Sequence, residues 1–108
     1  METPDMKAYA IRVGKIADHF TYEHVLLRAA EEYAEASAAL LRYRRALAIK
    51  DGDPDEKYLA LASELADCQV MMDQILKKEP TIYAAMRSEY MRKIDRTIKR
   101  YKIGEKER

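Results

Sequence analysis

The placement of proline and glycine constrains the fold most, because these residues interrupt regular backbone structure. The 108-residue chain has only three of each, and the prolines are Pro4, Pro54 and Pro80. Ala, Leu, Glu, Lys, Arg and Met dominate the rest, and no segment alternates apolar and polar residues for long. Since these are good helix formers, the sequence predicts an all-α domain punctuated at its prolines.

Turn and capping residues divide the chain into four predicted helices. They run from Pro4 to about Ala17, from Tyr22 to about Ile49, from Pro54 to about Lys78 and from Thr81 to about Ile103. The residues expected to cap or end them are Thr3, Thr21, the capping box Asp53 with Glu56, and Gly104. We expect residues 1–108 to form one domain, and residues 105–108 to fray.

The second and third helices are joined by about four residues, so they are predicted to pack as an antiparallel hairpin. Apolar periodicity gives each helix a predicted core stripe. The stripes are Met6, Tyr9, Ala10, Val13 and Ile16; then Leu26, Ala29, Tyr33, Ala36, Leu40, Tyr43 and Leu47; then Tyr58, Leu61, Leu65, Gln69, Met72 and Leu76. The flanking Val70, Met71 and Ile75 would then stay exposed, which predicts a homodimer or homotetramer.

Composition excludes several classes of protein. With 48% hydrophobic residues and a net charge of +1, the chain is too apolar for disorder and too neutral for a general nucleic-acid binder. It has no apolar run of about 20 residues, so no membrane span is expected. The N-terminus lacks the apolar stretch of a secretory signal, and the single cysteine cannot form an internal disulfide. We therefore expect a cytoplasmic protein.

Acidic residues are concentrated on the two hairpin helices. Residues three apart on a helix project from the same side, which pairs Glu32 with Glu35 and Glu64 with Asp67. At about 100° per residue, both pairs flank the predicted apolar stripes, whereas Glu31 points further towards solvent. Because both pairs lie at similar distances from the turn, the hairpin would bring four carboxylates together.

Clustered carboxylates repel one another, so a counterion is expected between them. Mg²⁺, or alternatively Mn²⁺, suits this donor set because hard cations prefer oxygen ligands. Such a cation could grip a polyphosphate and activate water. The alternative is that the acids are solvated surface charges in ion pairs with Arg28 and neighbouring basic groups.

The motifs resemble those of the MazG-like all-α nucleoside triphosphate pyrophosphohydrolases. The pattern E-E-x-x-E begins at Glu31, and E-x-x-D begins at Glu64. Residues 28–36 and 64–74 are similar to the two motif helices of that family, and the resemblance covers about residues 21–100. It implies a four-helix MazG-like bundle, and it carries the metal ligands over to Glu32, Glu35, Glu64 and Asp67.

The resemblance also implies an activity. A (deoxy)nucleoside triphosphate would be hydrolysed between its α- and β-phosphates, giving the monophosphate and pyrophosphate and so clearing the nucleotide pool. The chemistry requires no protein nucleophile, because the cation neutralises charge on the phosphate oxygens while water attacks. Glu31 or Glu35 would accept the proton of that water. The preferred base and sugar stay open.

The last predicted helix is basic. From Arg87 to the C-terminus there are nine basic and four acidic residues, so this segment carries a net charge of +5. Lys93 and Arg96, one turn apart, are the candidate phosphate contacts, and the alternative is a solvated helix face. Nucleic-acid binding by this helix is a weaker hypothesis, because interleaved aromatic residues are lacking.

The remaining candidates have structural interpretations. Cys68 is expected to be a small buried residue, and Met71 and Met72 to fill gaps in the core. His19 and His24 are far from Cys68 in sequence and are expected at the surface or the core edge. Tyr33 and Tyr90 are interpreted as core rather than base-stacking residues. The functional alternative to the enzyme is a non-catalytic helical interaction protein that keeps the MazG-like fold.

Overall fold

The computed structural model describes residues 5–104, which form four α-helices and no strand. The helices are α1 (Met6–His19), α2 (Tyr22–Ile49), α3 (Pro54–Lys78) and α4 (Thr81–Arg100). They divide into two compact units, one with α1 to α3 and the other with α4. The all-α prediction is confirmed for this range. None of these helices is both long enough and apolar enough to cross a membrane.

The start of α2 and the start of α3 follow from their capping residues. Thr21 Oγ1 accepts a hydrogen bond from the backbone N–H of His24 at 3.1 Å, and Asp53 Oδ1 accepts one from the N–H of Asp55 at 3.1 Å. Each bond satisfies a donor that the first helical turn leaves free. Within residues 5–104, the Glu56 side chain makes no reciprocal hydrogen bond, so the predicted capping box is only half formed.

Helix α1 begins at Met6. Its N-cap is Asp5, whose Oδ1 accepts hydrogen bonds from the N–H groups of Lys7 and Ala8 at 3.0 and 3.3 Å. The predicted cap Thr3 and the predicted first helical residue Pro4 lie outside the described residues. The aspartate carboxylate takes the capping role here because it can accept both bonds at once.

Helix α4 ends at Arg100, before the predicted Gly104. Lys102 adopts the left-handed conformation with φ 54°, and the N–H of Ile103 donates to the carbonyl oxygen of Ile98 at 3.0 Å. This backbone arrangement is a Schellman motif, which satisfies carbonyl groups of the last turn. The helix therefore ends through backbone hydrogen bonds at a lysine, and the glycine follows the motif with φ 85°.

The buried stripe of α2 is built mainly from small residues. Its members are Val25, Ala29, Glu32, Ala36, Ala39 and Ala46. The predicted stripe shares Ala29 and Ala36, and Tyr43 is half-buried, but Leu26, Tyr33, Leu40 and Leu47 are exposed. The prediction was wrong at these four positions because it followed the large residues. Alanine lets two helices approach closely, and one residue along the helix turns a side chain by about 100°.

The buried residues of α3 and α1 differ from their predicted stripes in a similar way. On α3, Leu61, Cys68, Met71 and Gln74 are buried. Leu61 and Cys68 were expected there. Met71 was predicted both as an exposed flank of the hairpin and as a gap-filling core residue, and its burial agrees with the second interpretation. Met72, Ile75 and Leu76 are half-buried, while Tyr58, Leu65, Gln69 and Val70 are exposed. On α1, which packs against α3, Ala17 is fully buried, Val13 is half-buried, and Met6, Tyr9, Ala10 and Ile16 are exposed.

Two contacts fix how α2 and α3 meet. Near the turn that joins them, the rings of Tyr43 and Tyr58 lie edge to face with centroids 6.1 Å apart. Further along both helices, Cys68 Sγ lies 3.6 Å from the backbone oxygen of Glu32 and donates to it. This second contact places the acidic residues of α2 opposite those of α3.

Candidate metal centre

Three of the four predicted acidic ligands converge between α2 and α3. One carboxylate oxygen each from Glu32, Glu35 and Glu64 lies within 4.8 Å of the other two. Glu32 is buried, Glu64 half-buried and Glu35 exposed, so the group spans the edge of the helix interface. Asp67, the fourth predicted ligand, is exposed on α3 and lies outside this group. We call Glu32, Glu35 and Glu64 the glutamate triad.

The helical register explains the burial of Glu32. This residue occupies the buried stripe between Ala29 and Ala36 and keeps only 8% of its surface exposed. Glu35 follows it by about one turn on the same side of α2, and Glu64 approaches from the facing side of α3. One carboxylate therefore lies in the buried stripe of α2, whose other members are mainly alanines.

Arg28 compensates part of the negative charge through two ion pairs. Arg28 donates from Nη2 to Glu32 Oε1 at 3.0 Å and from Nη1 to Glu31 Oε2 at 3.2 Å. The ion pairs expected under the surface-charge alternative thus exist for these two residues. These ion pairs do not satisfy all of the carboxylate oxygens. Within residues 5–104, Glu32 Oε2 and Glu64 Oε2 are buried without a hydrogen-bond partner.

The pKa values of both inner carboxyls reflect this shortage of positive charge. Burial raises the pKa of Glu32 above its ordinary value, and the negative charges of Glu35 and Asp67 raise it further. Burial, Glu35 and Asp67 raise the pKa of Glu64 in the same order. Arg28 and Arg42 oppose these effects only in part. A cation among these carboxylates would oppose both shifts, because nearby positive charge favours the deprotonated form.

The donor set fits a hard divalent cation. Three carboxylates supply oxygen ligands only, and two of their oxygens are buried without a hydrogen-bond partner in the described part of the chain. Mg²⁺ and Mn²⁺ bind such groups and keep water molecules on their open positions. Asp67 lies beside the triad closely enough to raise the pKa of Glu64, which suits a residue that completes the set.

A groove of about 270 Å³ adjoins the triad. Its lining residues are Ile16, Phe20, His24, Arg28, Glu32, Asp67, Val70, Met71 and Gln74. Sequence reasoning gave no role in the site to Phe20, His24 or Gln74, and it named Arg28 only as an ion-pair partner. Gln74 lies seven residues after Asp67, which places both on one face of α3. That spacing is the signal that could have identified Gln74.

The other predicted site residues do not belong to the triad. Glu31 is exposed and its carboxylate is held by Arg28. Lys93 and Arg96 are exposed on α4, in the second unit.

Burial raises the pKa of the Cys68 thiol, with the charges of Glu32, Glu64 and Asp67 adding to the effect. A buried thiol of raised pKa is a poor nucleophile, in agreement with its expected role as a small core residue.

The chain was compared with protein-family models, with curated proteins and with solved structures, and none of the three comparisons gave a match.

Proposed function

We propose that this protein is a divalent-cation-dependent nucleoside triphosphate pyrophosphohydrolase of the MazG-like type. The glutamate triad carries the proposal, because one carboxylate oxygen of each member lies within 4.8 Å of the other two. In addition, two carboxylate oxygens of the triad are buried without a hydrogen-bond partner among residues 5–104. Mg²⁺ is the expected cation, and Mn²⁺ should substitute for it. The bond cleaved would join the α- and β-phosphates of a (d)NTP.

The proposal includes the arrangement of the helices. We propose that α2 and α3 form the antiparallel hairpin of a MazG-like bundle. The Tyr43–Tyr58 ring contact near the turn and the Cys68–Glu32 hydrogen bond further away support opposite helix directions. In each pair, the two residues lie at similar distances along the chain from the turn at residues 50–53.

The chain's residues would divide the chemical work. Glu32, Glu35 and Glu64, with Asp67 beside them, would hold the cation, which when bound neutralises charge on the phosphate oxygens. Water attacks the α-phosphorus, the bond to the bridging oxygen breaks, and pyrophosphate leaves. Glu35 and Glu31 are the two candidate acceptors for the proton of the attacking water. Lys93 and Arg96 are the proposed phosphate contacts from α4.

A panel of (d)NTPs with Mg²⁺ or Mn²⁺ tests this function. The expected products are the monophosphate and pyrophosphate, and in oxygen-18 water the label should enter the monophosphate. Glu35→Gln and Asp67→Asn should abolish release, while Glu56→Gln, an exposed acid in the first turn of α3, serves as the matched control. Release of a diphosphate and inorganic phosphate, or no release with either cation, would refute the proposal.

A second candidate function is a non-catalytic interaction protein. The observation that favours it is the row of exposed leucines on α2: Leu40, Leu41 and Leu47 are 50%, 57% and 59% exposed and line one shallow apolar surface. Contiguous apolar surface commonly marks a protein–protein interface. Stable association combined with a silent nucleotide panel would favour this function over the enzyme.

A further inference from the structure

The groove beside the glutamate triad has two chemically different ends. His24, Arg28 and Glu32 line the groove and follow one another at intervals of four residues on α2, so His24 and Glu32 lie about two helical turns apart. Phe20 and His24 therefore form an aromatic end, and Glu32, with Asp67 and Arg28 also in the lining, forms an acidic end. Its volume of about 270 Å³ lies just below the roughly 300–1,000 Å³ of sites for drug-sized molecules. A compact fragment with one flat apolar part and one anionic part would match both ends.

The aromatic end presents a flat surface. Phe20 directly follows α1 in an extended backbone conformation. Its ring stacks on that of His24, with centroids 4.5 Å apart and planes inclined by 13°. Phe20 is 37% exposed and His24 is also exposed, so the pair remains open to a ligand. Any nucleobase can stack on such an aromatic surface, because every base has a flat π-face.

One of the residues that line the groove, Gln74, has a buried side-chain amide. Gln74 keeps only 4% of its surface exposed, and its Nε2 donates to the Met71 sulfur at 3.5 Å. A thioether is a weak acceptor, so this contact uses little of the amide's hydrogen-bonding capacity. A buried amide in a binding groove typically recognises a polar group of the ligand, because leaving it unpaired is costly.

We infer that this groove binds the nucleoside part of the substrate, an inference that rests on the proposed function. The base stacks on the pair formed by Phe20 and His24, and the Gln74 amide recognises a polar edge of the nucleoside. The phosphates then extend towards the acidic end, where Arg28 supplies positive charge. The groove, rather than the triad, thus determines which nucleoside is accepted.

A tryptophan reporter tests the inference directly, because the chain contains no tryptophan. Phe20→Trp places one indole in the groove, and titration with the nucleoside monophosphates in Mg²⁺ should quench its fluorescence saturably. Ribose 5-phosphate and inorganic pyrophosphate should not reproduce the quenching. Tyr58→Trp, next to the α2–α3 turn, is the matched control and should show no saturable change.

A second variant tests the role of the amide. Gln74→Leu in the Phe20→Trp background should weaken binding of the preferred monophosphate about tenfold, which is the loss expected for one buried hydrogen bond. Circular dichroism checks that the helices are intact. In the native background, Phe20→Leu should raise KM for the nucleotide with little change in kcat, because Phe20 lies at the end of the groove away from the acids.

The outcomes separate this inference from the proposed function. Hydrolysis with an unchanged KM in Phe20→Leu, or an indole that no monophosphate quenches, would overturn the inference even if the enzyme is active. Saturable quenching by a monophosphate, weakened by Gln74→Leu, would support the groove even if the nucleotide panel is silent. In that second case the catalytic proposal fails and nucleoside binding stands.

Discussion

At the scale of single residues, the site consists of three glutamates and one arginine that only partly neutralises them. Arg28 binds Glu32 Oε1, but the second oxygen of that carboxylate is buried and finds no hydrogen-bond partner among the residues that the structure describes. Glu64 also has a buried, unpaired oxygen, and it makes no ion pair within residues 5–104. A buried charge without a partner destabilises the fold, so the protein holds this arrangement at a cost in stability.

Replacing Glu64 should therefore have opposite effects on the stability of the metal-free protein and on its binding of a cation. Glu64→Gln removes one negative charge while retaining the side-chain shape, so the Tm of the metal-free protein should rise by several degrees. The same variant should lose the rise in Tm that Mg²⁺ or Mn²⁺ gives the native protein. Differential scanning calorimetry with and without cation measures both effects. Glu31→Gln, an exposed acid outside the triad, should retain the cation-induced rise, and its loss there would contradict the assignment.

The raised pKa values of Glu32 and Glu64 predict how stability depends on pH. Both carboxyls have an ordinary pKa near 4.5 and a higher one in the folded protein. Between these values the folded state binds more protons than the unfolded state. Without divalent cations, the stability that these groups confer should therefore fall as the pH rises from about 4.5 through the folded pKa values.

Thermal melts across this pH range, with chelator present, measure the effect. The fall should be smaller in Glu64→Gln, which removes one of the two groups. With saturating Mn²⁺ the trend should reverse, because the cation binds the deprotonated carboxylates. A metal-free native protein whose stability falls no more steeply across this range than that of Glu64→Gln would show that the carboxyls are not held as described.

At the scale of helices, the turn between α2 and α3 contains two residues with positive φ. Lys50 caps α2 in the left-handed conformation with φ 56°, and Gly52 follows with φ 93°. A Cβ atom at position 52 would lie 3.0 Å from Lys57 Cε. Glycine fits position 52 without strain, because it has no Cβ atom and readily adopts a positive φ. Lys50 has a Cβ atom, so its left-handed conformation is strained.

Two substitutions in this turn should have opposite effects. Lys50→Gly should stabilise the protein by up to about 1 kcal/mol, because it relieves the left-handed strain. Gly52→Ala should destabilise it by about 1–3 kcal/mol, since alanine rarely adopts that backbone angle. Urea unfolding followed by circular dichroism gives both free energies. Equal effects of the same sign would show that the turn is not built as the structure indicates.

Sequence reasoning located the helices more accurately than the faces they bury. The bounds of α2 and α3 match the predicted ones because Thr21, Asp53 and Pro54 act locally through backbone geometry. The predicted stripe of α2 was wrong at four positions because the helix packs through its alanines. Apolar periodicity does not indicate which of two adjacent stripes packs against another helix.

The candidate site shows the same division between local and tertiary information. The i, i+3 spacing placed Glu32 beside Glu35 correctly, because this relation lies within one helix. Leaving Asp67 outside the triad depends on the rotation of α3 against α2, which no local rule fixes. The groove residue Phe20 lies in a connection between helices, where periodicity gives no signal at all.

At the scale of the whole molecule, the chain exposes much large apolar surface. The buried hydrophobic residues of the described range are mostly alanines, and Val25 is the largest of its fully buried side chains. Many leucines, isoleucines and tyrosines are meanwhile more than 40% exposed, among them Leu40, Leu41 and Leu47 on α2. A single chain of this kind buries little apolar surface, so a self-associated state is expected to be the stable form.

Sedimentation equilibrium tests this expectation. The native protein should sediment as a dimer or tetramer at micromolar concentration. Leu41→Glu should shift the equilibrium towards the monomer and lower the Tm, because it places a charge on the apolar surface of α2. Arg45→Glu, a change at an exposed polar position of the same helix, controls for added negative charge. A native protein that is monomeric at all concentrations would refute self-association.

We propose that Glu32, Glu35 and Glu64 together form one site for a divalent cation. Electron paramagnetic resonance of Mn²⁺ measures this directly, because bound and free ions differ in signal. We predict one strongly bound ion per chain, displaced by Mg²⁺ and lost in Glu64→Gln but kept in Glu31→Gln. A native protein that leaves the Mn²⁺ signal unchanged, or a Glu64→Gln variant that binds Mn²⁺ as the native protein does, would show that the glutamate triad is not a cation site.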